Sequence, residues 1–65
     1  MIGILLNGAE QNTESANVAG LVAELGFAQG TVLVELNGMA LRPDEWSREL
    51  RGGDVLELLR IVAGG

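Results

Sequence analysis

Two Asn-Gly dipeptides constrain this chain more than any other feature: Asn7-Gly8 follows Ile2-Gly3-Ile4-Leu5-Leu6, and Asn37-Gly38 follows Thr31–Leu36. Asn and Gly tolerate the positive φ angles that a two-residue hairpin turn demands, so each dipeptide predicts a strand folding back on a strand. After the first turn, Ala9–Thr13 is the returning strand. Its Glu10, Gln11 and Asn12 suit an edge that faces water. After the second, Met39–Leu41 is a short return. Thr31–Leu36 itself alternates, with Val32, Val34 and Leu36 on one side and Thr31, Leu33 and Glu35 on the other.

Between the hairpins lies one helical pattern. Val18, Leu21, Val22 and Leu25 recur at i, i+3, i+4 and i+7, with Asn17, Gly20 and Glu24 on the opposite side. Ser15 is the expected N-cap, its hydroxyl accepting from a first-turn N–H, and Gly26 the left-handed stop. Gly20 has no reason in the sequence, since a mid-helix glycine costs about 1 kcal/mol relative to alanine. Arg42-Pro43-Asp44-Glu45-Trp46 reads as a turn into one helical turn, with proline early and acids at the positive end. Gly52-Gly53-Asp54 is a turn into Val55–Val62, apolar at nearly every position, as befits a strand inside a sheet.

The expected order is strand, strand, helix, strand, short strand, short helix, strand. That is an α+β chain in which one main helix crosses one face of a mixed four- to five-stranded sheet. The most apolar strands, first and last, pair at its centre. This arrangement is the β-grasp, or ubiquitin-like, roll. One domain is expected over residues 1–65, with a flexible tail at about 62–65 and no repeat, linker or low-complexity tract.

Composition narrows the function. At 65 residues the chain buries only about 60% of its unfolded surface, so a compact core must hold it. The 48% hydrophobic content, almost all aliphatic, is sufficient. With no Cys and no His, disulfides, thiolate metal sites and the usual zinc sets are excluded, and Ser15 and Ser47 have no base to activate them. A net charge of −5, with four Arg and no Lys, argues against nucleic acid and favours approach to basic protein surfaces. No apolar run approaches the ~18 residues of a membrane span, and a cytoplasmic monomer is the default.

What remains for chemistry is the end, Val62-Ala63-Gly64-Gly65. Two terminal glycines arise by chance in roughly one chain in two hundred at the average glycine usage of about 7%, which is suggestive and no more, and a frayed, glycine-rich terminus is the alternative. A slender tether without Cβ atoms at its last two residues can thread a bare carboxylate into another protein's active site. If Leu56 and Leu58 face the helix, then Glu57, Leu59 and Ile61 face the open side of the sheet. Leu5 and Leu33 join them there as a candidate partner interface. Asp44 with Glu45 or Glu49 is better read as helix-start and solvated charge than as an acid/base pair. Asp54 is a turn residue, Trp46 a core anchor and Met39 a packing residue.

Three stretches resemble the ThiS family, the ubiquitin-like sulfur carriers of thiamin biosynthesis. Leu36-Asn37-Gly38-Met39-Ala40-Leu41-Arg42-Pro43-Asp44-Glu45-Trp46 is similar to the family's hydrophobe, Asn, turn and proline before acid-x-Trp, with the proline one place later here. Gly53-Asp54-Val55-Leu56-Glu57-Leu58-Leu59 resembles its Gly-Asp lead into the last strand, and Val62-Ala63-Gly64-Gly65 its terminal motif. The resemblance implies a protein co-substrate, not an enzyme. Gly65 would be the modified residue, with Val62, Ala63 and Gly64 recognised as the tail. An E1-like adenylyltransferase would use MgATP to make an acyl-adenylate at Gly65, the carrier itself binding no cofactor. Sulfur from a donor system such as a cysteine desulfurase would convert it to a thiocarboxylate, and thiazole synthase would consume it. The small subunit of molybdopterin synthase shares the fold and terminus but generally runs longer. A ubiquitin-like modifier, or a plain interaction module, is the other reading.

Overall fold

The computed structural model describes residues 1–62. Strands β1 (Ile2–Leu6), β2 (Ala9–Thr13), β3 (Val32–Leu36), β4 (Met39–Leu41) and β5 (Val55–Arg60) form one sheet in the order β2-β1-β5-β3-β4. The helix α1 (Val18–Glu24) follows β2, and a 3₁₀ turn (Pro43–Glu45) follows β4. β1 and β5 run parallel and the other neighbours antiparallel. The sheet is therefore mixed, with β5 at its centre, β1 beside it and polar β2 at an edge.

Both Asn-Gly turns adopt the expected backbone: Asn7 and Asn37 have φ of 49° and 51°, and Gly8 and Gly38 both have 84°. Their side chains do more than turn the chain. β1 stops its ladder with β5 at Leu6, and there the Asn7 amide takes over as a substitute strand. Its Oδ1 accepts from Leu58 N (2.8 Å) and its Nδ2 donates to Leu58 O (3.3 Å). On the other flank, Asn37 Oδ1 accepts from Val55 N (2.8 Å) and Asn37 Nδ2 donates to Asp54 Oδ1 (3.1 Å). Two turn residues thus clip the central strand from both sides.

One face of the sheet is filled. Ile4, Leu6, Val32, Val34, Leu36, Leu56 and Leu58 meet Val18, Leu21 and Val22 of α1, and Leu41, Trp46 and Leu50 close the end. Leu50 lies in an irregular segment and has no periodic signal. It is placed because residues 46–50 strap the start of the helix. Val18 N donates to Arg48 O (3.1 Å), Ala19 N to Trp46 O (2.9 Å) and Leu50 N to Ala16 O (2.9 Å).

The expected N-cap is corrected by the structure. Asn17, not Ser15, caps α1, its Oδ1 accepting from Gly20 N at 2.8 Å. Ser15 instead donates from Oγ to Glu24 Oε1 (2.7 Å), beside buried Thr13, whose Oγ1 donates to the same oxygen (2.6 Å) and accepts from Ser15 N (3.0 Å). Gly20 now has a reason: a Cβ there would stand 3.2 Å from Asn17 Oδ1 and 3.4 Å from Ser15 Cβ, crowding the cap. Gly26, at φ 85°, ends the helix as expected. A second correction concerns Met39, which is exposed rather than packed. No helix among the described residues is long and apolar enough to cross a membrane.

Candidate functional site

On the helix side, the first turn of α1 is closed to a ligand. The first-turn N–H groups of Val18, Ala19 and Gly20 are all engaged, by Arg48 O, Trp46 O and Asn17 Oδ1. Among the described residues no three His, Cys, Asp or Glu groups converge as a metal site. Asp44 and Glu45 lie beside Arg42, with Nε 3.2 and 3.8 Å from their carboxylates, and Glu49 lies 3.4 Å from Arg51 Nε. These are solvated charge pairs. Asp54 behaves as a turn residue, its Oδ2 accepting from Arg51 N at 2.8 Å. Hydrogen bonds from Thr13 and Ser15 favour the charged form of the Glu24 carboxyl and hold its pKa below the ordinary 4.5.

The other face of the sheet is open. The alternation of β5 buries Leu56 and Leu58 against the core and turns Glu57, Leu59 and Ile61 outward. Across the β3–β5 ladder, Leu33 stands directly opposite Leu59, and these two leucines are 59% and 60% exposed. Ile61 is 45% exposed, and its N–H donates to Thr31 O (2.8 Å) as the last described bond along this edge. On β1, Leu5 lies half-buried beside Val55. Beyond it, Gly3, Glu10, Asn12 and Gly53 border a shallow trough of about 650 Å³. Glu57, Leu59, Ile61, Leu5 and Leu33 therefore share one surface. Val55, on the same surface, also belongs to it.

Isolated exposed leucines are ordinary on a protein surface; here Leu33, Val55, Leu59 and Ile61 are exposed together on one face of an acidic domain. β5 passes through the sheet centre, and the chain continues beyond Arg60 through Ile61 to Val62, which is exposed. The remaining expected site residues, Ala63, Gly64 and Gly65, lie outside the described residues.

A mixed five-stranded sheet crossed by one helix on one face, with the other face open, defines a β-grasp domain of the ubiquitin-like class. Within that class, the family model described as the ThiS family matches residues 4–65. The chain belongs to the ThiS family. A crystal structure of thiamine biosynthesis protein ThiS from Geobacter metallireducens is 32% identical, with a TM-score of 0.80 over 98% of this chain and 100% of that one. A solution NMR structure of a thiamine biosynthesis protein from the same organism agrees equally, with 32% identity and a TM-score of 0.80 over 98% of this chain and 88% of that one. No curated protein matches the sequence.

Proposed function

We propose that this protein is a sulfur carrier of thiamine biosynthesis, a co-substrate whose catalytic groups belong to its partners. The Gly65 carboxylate attacks the α-phosphorus of ATP in an E1-like adenylyltransferase, giving an acyl-adenylate and pyrophosphate. A sulfur nucleophile, supplied by a system such as a cysteine desulfurase, then replaces AMP at the acyl carbon. The resulting thiocarboxylate delivers its sulfur to thiazole synthase. MgATP is the partner's ligand, and the cytoplasm is where these partners would be met.

The chemistry explains the division of labour. A carboxylate is a poor electrophile until its oxygen becomes a leaving group, and an acyl-adenylate survives only where water is excluded. A tail of Val62, Ala63, Gly64 and Gly65 enters such a site because its last two residues carry no side chain beyond hydrogen. The observation that carries the reading is the continuity of β5. The strand that presents Leu59 on the open face continues through exposed Ile61 to Val62, so docking that face and threading the tail are one event. In this reading Leu5, Leu33, Glu57, Leu59 and Ile61 are the docking surface.

Intact mass spectrometry after incubation with ATP, the cognate adenylyltransferase and a sulfur source tests it. An oxygen-to-sulfur mass gain confined to the C-terminal peptide is expected. If no adenylate forms with that enzyme, the proposal is wrong.

A further inference from the structure

The register of the central ladder places two carboxylates opposite each other. Glu35 of β3 pairs with Glu57 of β5, one step from the Leu33–Leu59 pair on the open face. Bonds from Asn37 N to Val55 O and from Ile61 N to Thr31 O fix the hydrogen-bonded positions at the two ends of this ladder. Hydrogen-bonded and non-hydrogen-bonded pairs alternate along antiparallel strands, so Glu35 and Glu57 form a hydrogen-bonded pair with Cα atoms about 5.5 Å apart. Like charges in directly opposite positions destabilise a sheet.

Among the described residues no ion pair reaches either carboxylate. The chain has four arginines and no lysine. Arg42 lies against Asp44 and Glu45, Arg51 against Glu49, and Arg60 stacks 5.4 Å from the Phe27 ring centroid on the helix side. Arg48 belongs to the strap across the helix start, where its carbonyl receives Val18 N. Glu10, opposite Leu5 on the β1–β2 ladder, adds a third acid to the same face. The open surface is thus apolar at Leu33, Leu59 and Ile61 and anionic beside them.

We propose that Glu35 and Glu57 together form a receptor for one guanidinium side chain on the docking partner, and that the free domain bears their mutual repulsion. This rests on the reading of the open face as the docking surface. A guanidinium suits the position better than an ammonium. Its planar fork offers five donors to two carboxylates at once, and its weak hydration lets it lie against the leucine pair. Once the partner covers Leu33 and Leu59, water leaves and the ion pairing strengthens. The partner face is accordingly apolar with an arginine set among its apolar contacts.

The proposal has a signature that a merely solvated acidic face lacks: stability and binding move in opposite directions. Glu35→Gln and Glu57→Gln are each expected to raise the thermal midpoint of the free protein at low salt. The double variant gains less than the sum, and the gain shrinks as salt rises. The same variants, titrated calorimetrically into the cognate adenylyltransferase, bind about tenfold or more weakly, with a flatter salt dependence. Glu57→Arg supplies an internal counter-ion for Glu35, so it stabilises the free domain further and weakens binding more than Glu57→Gln. Variants that bind as tightly as the natural protein, with the same salt dependence, overturn the receptor while leaving the docking surface intact. Midpoints that stay unchanged or fall overturn the repulsion. If the unaltered protein neither binds nor is adenylated, the docking reading fails and the receptor fails with it.

Discussion

Replacing Asn7 by glycine separates what the turn requires from what the side chain adds. Glycine keeps the positive φ at no steric cost, so only the amide's bonds to Leu58 N and O are lost. Leu58 is buried, and its N–H points to the side where β1 has already ended, so no other strand takes the bond. Leaving such a donor unpartnered costs about 1–3 kcal/mol. Asn37→Gly is the internal control. It removes a similar pair of bonds at the other turn, but these are exposed and water replaces them, so the cost is about 0.5 kcal/mol or less. The entropy that glycine adds to the unfolded chain is common to both and cancels. A chain of this length has a total stability of roughly 3–10 kcal/mol, so the Asn7 clip is a large fraction of it. The difference between the two variants is then about 0.5–3 kcal/mol, and at about 4–8 °C per kcal/mol Asn7→Gly should melt about 2–24 °C below Asn37→Gly. Thermal unfolding followed by far-ultraviolet circular dichroism, paired with urea titration, measures the difference. Equal midpoints, or a lower one for Asn37→Gly, would refute the idea that Asn7 substitutes for a missing stretch of strand.

Four further outcomes follow from the same geometry. Leu56→Ala and Leu59→Ala, three residues apart on β5, should diverge: the first empties a fully buried site and costs about 2–5 kcal/mol, the second changes urea stability by about 0.5 kcal/mol or less. Gly20→Ala should fail to deliver the usual gain of about 1 kcal/mol, because its Cβ would crowd the Asn17 cap; a full gain would show that the cap yields freely. Glu24 has a depressed folded pKa, so its contribution is present above the unfolded value of 4.5 and is lost as pH falls through the folded one. The stability advantage over Glu24→Gln should therefore shrink on acidification through that window, and a pH-independent difference would contradict the assignment. Gly65→Ala should leave the circular dichroism spectrum unchanged while impairing adenylation, read by pyrophosphate release; near-normal transfer would defeat the tail-threading account.

The strands were legible because their signals are local. Period-2 alternation in β3 and two Asn-Gly turns are properties of neighbours in sequence, and the apolar content of the last strand marked it as central. The helix was legible for the same reason, but its start was not. Ser15-Ala16-Asn17 offers two capping side chains within three residues, and local chemistry ranks them almost equally. The choice falls to Asn17 because the strap at Trp46 and Arg48 receives the N–H groups of Ala19 and Val18, fixing where the first turn begins. Leu50 was hidden because its burial depends on that same long-range docking. The candidate surface was half legible. Alternation separates Leu56 and Leu58 from Glu57, Leu59 and Ile61, but only the register of β3 on β5 places Leu33 against Leu59 and Glu35 against Glu57. Registers between distant strands have no signal in a single sequence.

That register also bears on how tightly a carrier of this design can bind. In the proposed cycle, ordering Val62, Ala63, Gly64 and Gly65 in a partner's channel costs about 4–8 kcal/mol of backbone entropy. Leu33, Leu59 and Ile61 are each roughly half exposed, so covering them returns about 1 kcal/mol apiece, and Val62 adds about as much again. The apolar surface alone therefore only partly offsets the threading cost, and charge must supply part of the remainder. An acidic face accelerates encounter with a basic one, and its contribution strengthens once the leucines are covered. A carrier that visits an activating enzyme and then a sulfur-accepting one gains from this balance. The docked state is reached quickly, it lasts while tail and face are both engaged, and it weakens as soon as the tail withdraws.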